Sequence, residues 1–185
     1  MTDDLEARCL EAFPEWLRSL ADDARAVATV LANPDQPESA RRHCAVALNY
    51  LFKSLDLIPD GIEDLGFIDD AFVFRVAAAG AAESHAQARE RDSTGVLVRL
   101  TEQVALVKEF LAEDYGRLAV YIRGLDAVSV RGRTVEDLLT DEEGRHALLQ
   151  EVRAWADSYE PPSFMRDPRN LVKLRSFLGA KLPAY

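Results

Sequence analysis

The chain has 185 residues, of which 48% are hydrophobic and 29% are charged, as is ordinary for a globular protein. Its formal net charge of −10 argues against a protein that binds bulk nucleic acid, because such proteins present a basic face. The longest weakly polar run, residues 71–82, contains Arg75 and is shorter than the roughly 20 residues that span a bilayer.

The N-terminal residues are acidic and include no apolar leader segment, so we expect a cytoplasmic protein. Neither Cys9 nor Cys44 belongs to a CxxC pair, so the sequence predicts neither a zinc site nor a disulfide framework. Each cysteine is expected to behave as a small buried apolar residue.

Helical patterns occupy most of the first 53 residues. Thr2 is expected to cap a first helix, and Pro14 to begin a second that ends at Asn33. A further helix is predicted from about residue 37 to residue 53. In these segments apolar residues recur every three or four positions: Phe13, Trp16, Leu17, Leu20, Ala24, Val27, Ala28 and Leu31, then Ala40, Cys44, Ala47, Leu48, Leu51 and Phe52.

The next stretch, from Leu55 to Asp70, contains no basic residue and is interrupted by Pro59, Gly61 and Gly66. We call it the acidic loop. Its six carboxylates are Asp56, Asp60, Glu63, Asp64, Asp69 and Asp70, and the apolar residues between them are expected to anchor it to the core. Asp69 is predicted to cap a helix that extends to about residue 91.

The second half of the chain is also predicted to be helical. A long helix should begin after residue 94 and kink near residues 114–116, and residues 128–133 alternate like a strand but are too few to found a sheet. The last helix should end before Gly179. The predicted helix caps in this half are Ser93 or Thr94, Thr134, Thr140 and Asp167.

Together these elements predict an all-α protein. We expect a compact multi-helix bundle in which the acidic loop, with its Pro and Gly residues, connects two core helices. Residues 15–92 would form a helical module, and residues 93–185 a C-terminal helical extension that packs on it within one globular unit.

The acidic loop resembles a known family. The residues that carry the resemblance are Asp56, Leu57, Ile58, Pro59, Asp60, Gly66, Asp69 and Asp70, together with Ile62. They resemble the signature of the YkvA-like family, known as domain of unknown function 1232 (DUF1232). This sequence has Ser54 and Glu63 at two positions where the family has proline. The resemblance extends over about residues 20–83, and it implies a small helical module with no assigned activity.

Three hypotheses account for the carboxylates of the acidic loop. In the structural one, Asp56, Asp60 and Asp69 accept backbone N–H bonds at the starts of helical turns. In the second, Asp56, Asp60, Asp69 and Asp70 bind Ca²⁺ or Mg²⁺, which prefer oxygen ligands, although the spacing does not fit an EF-hand. In the third, the loop is a recognition surface for a basic partner. Apart from Ca²⁺ or Mg²⁺, no cofactor is expected.

No arrangement of residues typical of a catalytic site is present. The three histidines, His43, His85 and His146, lie outside any HExxH-like motif, and the sequence contains no Walker A, GxGxxG or GxSxG motif. We therefore expect a module that acts by binding, with an unknown protein as partner. The alternative is a divalent-metal-dependent enzyme or metal sensor that uses the loop carboxylates.

The C-terminal segment, residues 164–185, differs in charge from the rest of the chain. It contains five basic residues against Asp167 alone, a net charge of +4. Its predicted helix could dock on the acidic body of its own chain, which would offset self-repulsion. Alternatively, it could detach to bind an acidic partner or to make weak peripheral contact with an anionic membrane.

Overall fold

The computed structural model describes residues 2–54 and 56–184, so Met1, Tyr185 and Leu55, the first residue of the acidic loop, lie outside it. Over the described residues the chain forms α-helices joined by turns, with no strand, and the predicted all-α bundle is confirmed. The helices are α1 (Asp3–Ala32), α2 (Glu38–Tyr50), α3 (Ile68–Ser84), α4 (Gln87–Glu90), α5 (Val96–Leu111), α6 (Asp114–Gly124), α7 (Val135–Thr140), α8 (Glu142–Ser158) and α9 (Pro168–Lys181).

The first helix is continuous, and the predicted division at Pro14 is wrong. Thr2 caps it as expected, accepting a hydrogen bond from the backbone N–H of Leu5, and the helix continues for 30 residues through Pro14. A proline inside a helix costs roughly 3 kcal/mol through a lost hydrogen bond and a steric clash. Pro14 is buried, and so is Phe13 beside it. The Phe13 ring packs on the Phe72 ring of α3, with 5.2 Å between the ring centroids. Tertiary packing therefore offsets the local cost.

Helix α3 lies at the centre of the bundle. It packs against α2, α5 and α1, and even its polar residues Asp69, Asp70 and Arg75 are buried. Such a helix is apolar nearly all round and has no single hydrophobic stripe. Its Phe72 ring meets the rings of Phe13 and Phe110, which joins α1, α3 and α5 in one aromatic cluster.

Several helix ends differ from the sequence prediction. Helix α3 ends at Ser84. Helix α5 begins at Val96 with Gly95 at its N-cap position; the Thr94 hydroxyl accepts the Val96 N–H at 3.2 Å, and Asp92 Oδ2 accepts the Leu97 N–H. The break between α5 and α6 lies at residues 112–113, just before the predicted kink. Thr134 and Asp167 are caps, as predicted. The cap of α8 is Asp141 and not Thr140, because the Asp141 carboxylate accepts two backbone N–H groups. Gly179 lies inside α9 and does not end it.

A buried charge cluster joins α1, α3 and α5, and no local sequence pattern predicts it. The Arg75 guanidinium stacks on the Trp16 ring with 3.9 Å between its Cζ and the ring centroid, and its Nη2 lies 3.7 Å from Asp23 Oδ2. Asp23 is also buried and accepts a 2.7 Å hydrogen bond from Arg99. Burial lowers the pKa of Arg75 to about 9, so the guanidinium is still charged at neutral pH.

The C-terminal helix docks on its own chain, as the first of the two alternatives expects. Leu171, Leu174 and Leu178 are buried, and Asn170 Nδ2 donates to the backbone oxygen of Asp64 at 3.1 Å. Contact of α9 with a membrane surface stays a prediction. Among the described residues, no helix combines the length and apolar character needed to cross a bilayer.

Candidate functional site

The acidic loop is a series of tight turns between α2 and α3. The backbone N–H of Ile62 donates to the Pro59 oxygen at 3.0 Å, and the N–H of Gly66 donates to the Ile62 oxygen at 2.9 Å. Leu57, Ile58 and Leu65 are buried in the core. The apolar residues therefore anchor a loop whose backbone bonds to itself, while Pro59 and Asp60 face solvent.

A buried hydrogen-bond network ties the loop to both helices. Asp69 Oδ2 accepts from the Tyr50 hydroxyl at 2.7 Å and from the Ile58 N–H at 2.9 Å. The same hydroxyl accepts from the Leu57 N–H at 2.9 Å. We call Tyr50, Leu57, Ile58 and Asp69 the loop latch. Because Tyr50 and Asp69 are almost completely buried, these bonds are made where water offers no replacement.

The predicted capping roles of Asp60 and Asp69 are wrong. Helix α3 begins at Ile68, and its N-cap position is Phe67, a residue with φ 62° that makes no side-chain capping bond. Asp69 lies one residue inside the helix, and its carboxylate turns back towards Tyr50 and Ile58. No helix follows Asp60, since the described residues after it form turns until Ile68.

The motif glycine Gly66 allows two backbone segments to approach closely. A Cβ added at Gly66 would lie 2.1 Å from the backbone oxygen of Asp60, far inside van der Waals contact. That oxygen belongs to backbone and cannot move aside as the end of a flexible side chain could. By contrast, a Cβ added at Gly61 meets no atom within 4 Å. Close approach thus accounts for glycine at position 66.

The carboxylates of the loop are close enough to disfavour one another's charge. Burial and the charges of Asp69 and Asp60 raise the pKa of Asp56 to about 7. Burial raises the pKa of Asp69 to about 6, although the hydrogen bonds that its carboxylate accepts act to lower it. Burial and the charges of Asp69, Asp60 and Asp56 raise the pKa of Asp70 well above its ordinary value. Partial burial also raises the pKa of Asp60. The cluster therefore favours the uptake of positive charge, either protons or a cation.

Two oxygens in the cluster have no donor. Asp56 Oδ1 and Asp69 Oδ1 are both buried and make no hydrogen bond. Carboxylate oxygens of this kind are the ligands that Ca²⁺ and Mg²⁺ prefer, so the donor set fits the predicted ions in its chemistry. In the described part of the chain, however, no three His, Cys, Asp or Glu side chains lie in a metal-holding arrangement. The metal hypothesis for Asp56, Asp60, Asp69 and Asp70 stays a prediction.

A cleft of about 460 Å³ lies beside the latch, between α2, α3, α5 and α6. We call it the α2–α6 cleft. Its apolar lining comes from three helices: Val46 of α2, Val76 and Ala79 of α3, and Ala119 and Ile122 of α6. Residues 43, 46 and 50 fall on one face of α2 by helical spacing, so the latch tyrosine and the cleft share that face.

Polar groups surround the apolar lining of the cleft. The half-buried ring of His43 lies against Gly80, where an added Cβ would come within 2.7 Å of it. Burial lowers the pKa of His43, so its imidazole is neutral at pH 7. Lys108 Nζ lies 5.3 Å from the centroid of the Tyr115 ring. Sequence reasoning missed this site, because its residues are spread from position 42 to position 126 and only the packing of four helices brings them together.

Comparison with known proteins identifies a family for part of the chain. Residues 40–75 match the family described as "Protein of unknown function (DUF1232)", which confirms the family predicted from the acidic loop. The matched segment covers α2, the acidic loop and the first half of α3. No curated protein and no solved structure matches the chain.

Replacement of Gly66 by Ala should destabilise the protein by about 2 kcal/mol, because the added methyl group forces the Asp60 backbone out of position. Gly61→Ala is the matched control and should change stability by less than about 0.5 kcal/mol, since its methyl group meets nothing. Urea denaturation of both variants measures the effect. Equal midpoints for Gly66→Ala and wild type would contradict the close approach.

The Asp56 carboxyl should make stability depend on pH. Its pKa is about 3.9 in an unfolded chain and about 7 in the folded protein. Between these values the folded state binds more protons, so the free energy of unfolding falls as pH rises from about 4 to about 7. Asp56→Asn should remove part of this fall, on the order of 1 kcal/mol, because an amide does not titrate.

Chemical denaturation at pH 5 and pH 8, with a chelator present, tests this dependence. Glu63→Gln removes the same charge from an exposed position of the same loop and should keep the wild-type difference between the two pH values. A wild-type pH dependence in Asp56→Asn would show that Asp56 does not titrate as described.

Proposed function

We propose that this chain, whose residues 40–75 belong to the DUF1232 family, is a module that acts by binding a ligand in the α2–α6 cleft. The acidic loop is its structural centre and does not itself contact the ligand. One observation carries the proposal: the cleft combines an apolar lining with polar groups that form no ion pair or hydrogen bond with any described residue. Ligand sites in proteins are typically clefts of about 300–1,000 Å³ with this combination.

The unpartnered polar groups support binding because a chain gains little by keeping them beside an apolar surface. Lys108, Arg123 and Glu83 line the cleft, and none of them forms an ion pair or hydrogen bond within the described structure. The His43 ring, which also lines the cleft, forms no hydrogen bond with any described residue. These are the groups that give a small-molecule site its orientation and specificity.

The acidic loop supports the cleft indirectly. The latch fixes Tyr50 at the end of α2, and the Tyr50 ring packs edge-on against Tyr121 of α6 with 6.3 Å between centroids. Tyr121 neighbours Ile122, which lines the cleft. Through this contact the loop sets the position of α6 relative to α2 and α3, and so the width of the cleft.

A neutral fluorescent probe, N-phenyl-1-naphthylamine, tests the cleft without assuming the charge of its ligand. We expect saturable binding to the wild type with a stoichiometry of one. Ala119→Phe should abolish it by filling the cleft, whereas Ala154→Phe, on the exposed side of α8, should bind like wild type. Both variants must melt cooperatively for the comparison to count. No saturable binding to the wild type, or equal binding to Ala119→Phe, would refute the proposal.

A divalent cation at the acidic loop is a second candidate function, which would make the protein a metal sensor or a metal-dependent enzyme. The buried and unpartnered oxygens of Asp56 and Asp69 favour it. A cation placed between Asp56, Asp60, Asp69 and Asp70 would relieve the mutual repulsion that raises their pKa values. Small movements of the loop would be needed to complete a coordination shell.

The cation hypothesis predicts that 10 mM Ca²⁺ or Mg²⁺, added at constant ionic strength, raises the melting temperature by about 3 °C. Asp56→Asn should abolish the rise, because it removes a ligand that bonds to no other group of the chain. Glu63→Gln is the control and should keep it. A melting temperature that neither ion changes in the wild type would exclude the site.

A further inference from the structure

We infer that the ligand of the α2–α6 cleft is a small anionic amphiphile: one carboxylate or phosphate group on an apolar body. This inference deepens the proposed function and depends on it. It follows from the charges that line the cleft, from how many of them the chain itself neutralises, and from the surface that lies between them.

The charges that line the cleft fall into two groups. Arg42 and Asp126 neutralise each other, since Arg42 Nη1 lies 3.2 Å from Asp126 Oδ1, and Arg42 also pairs with Glu38 and Glu136. Arg42 therefore has no charge to spare for a ligand. Salt bridges of this kind satisfy the donors of the guanidinium and hold it at the rim.

The second group forms no ion pair within the described part of the chain. Lys108 and Arg123 are both exposed at the cleft and form no ion pair with any described carboxylate. Glu83 is the one unpaired acid among the lining residues, and it also stands apart from both cations. Among the residues that line the cleft, the charge left over is therefore two positive against one negative. A ligand with one negative charge neutralises this excess, and a cation would add to it.

Two cations on neighbouring helices indicate where the anion would lie. Lys108 of α5 and Arg123 of α6 both line the cleft, and Lys108 Nζ lies 5.3 Å from the centroid of the Tyr115 ring. An anionic group would pair with these two side chains. The neutral imidazole of His43 can still bond to an uncharged polar group, because it offers one donor and one acceptor.

The rest of the lining suits an apolar body. Val46, Val76 and Ile122 face the cleft from three different helices, and Ala79 and Ala119 leave room between them. Apolar contact supplies affinity without demanding a fixed orientation, about 25 cal/mol for each Å² removed from water. An ion without an apolar part would leave this surface wet and would bind only through two exposed cations, which is weak.

Three probes of equal chain length but different charge separate the possibilities: octanoate, 1-octanol and octylammonium, each competing with N-phenyl-1-naphthylamine. Octanoate should displace the dye at a concentration about tenfold lower than octylammonium does, which corresponds to one charge-assisted contact. Octyl phosphate, used beside octanoate, shows which anionic group the cleft prefers. Inorganic phosphate, which has no apolar part, should not displace the dye.

Variants that remove charges from the cleft test whether it prefers an anion or a cation. The double variant Lys108→Gln and Arg123→Gln should weaken octanoate about tenfold more than it weakens 1-octanol, which carries no charge. Glu83→Gln removes the opposing charge and should tighten octanoate while weakening octylammonium. Arg153→Gln, an exposed and unpaired arginine on α8, is the matched control and should change neither.

The outcomes separate this inference from the proposed function. The anionic ligand is overturned if octanoate, octanol and octylammonium displace the dye equally, or if the double variant does not change the affinity for octanoate relative to 1-octanol. Either result leaves the cleft as a binding site. Absence of saturable dye binding to the wild type removes both. Octanoate that binds the Ala119→Phe variant as tightly as the wild type places the anion elsewhere and overturns the inference.

Discussion

One buried carboxylate oxygen holds the centre of this fold together. Asp69 Oδ2, on the first turn of α3, accepts hydrogen bonds from the Tyr50 hydroxyl at the end of α2 and from the Ile58 amide in the acidic loop. The hydroxyl in turn accepts the Leu57 amide. Two helices and the loop between them therefore meet at one oxygen. Each partner is excluded from water, so loss of any one leaves the others unsatisfied at about 1–3 kcal/mol each.

This arrangement has an electrostatic cost. To satisfy Tyr50 and Ile58, the fold buries a carboxylate beside Asp70 and close to Asp56, and each raises the free energy of charging the others. Apolar burial of Leu57 and Ile58 and the latch bonds offset that cost. Burial and the same repulsion raise the pKa of Asp56 and Asp70. The same geometry therefore lets Asp69 hold the loop in place and makes the cluster sensitive to protons.

Helix α2 contributes to both the latch and the cleft. Helix α2 contributes Tyr50 to the latch and His43 and Val46 to the cleft, all from the same face. The opposite wall of the cleft comes from α5 and α6, which lie outside residues 40–75. In the proposed function, the matched segment would supply one wall of the binding cleft, and helices α5 and α6 would complete it.

The sequence predicted what depends on local chemistry. Thr2, Thr134 and Asp167 were recognised as caps because a cap needs only its own side chain and the next two or three backbone N–H groups. The apolar residues of the loop were predicted as anchors because they alternate with carboxylates over a short distance.

Features that join distant residues could not be predicted in this way. Asp69 was taken for a cap because its partner Tyr50 is 19 residues away and has no pattern that links the two. Arg75 lies in an apolar run of the sequence. Its partners Asp23 and Trp16 are about 50 to 60 residues away, so no local pattern indicates that Arg75 is buried. One wall of the cleft comes from α6, and no sequence pattern in α2 or α3 predicts where α6 packs.

The most direct test of the latch is a double-mutant cycle between Tyr50→Phe and Asp69→Ala, measured by urea denaturation at pH 7. If the hydroxyl and the carboxylate bond as described, the two losses overlap, and the coupling free energy should be about 1–3 kcal/mol. Additive losses, with a coupling below about 0.3 kcal/mol, would show that the two groups act independently. That result would contradict the latch and, with it, the proposal that the acidic loop positions the cleft.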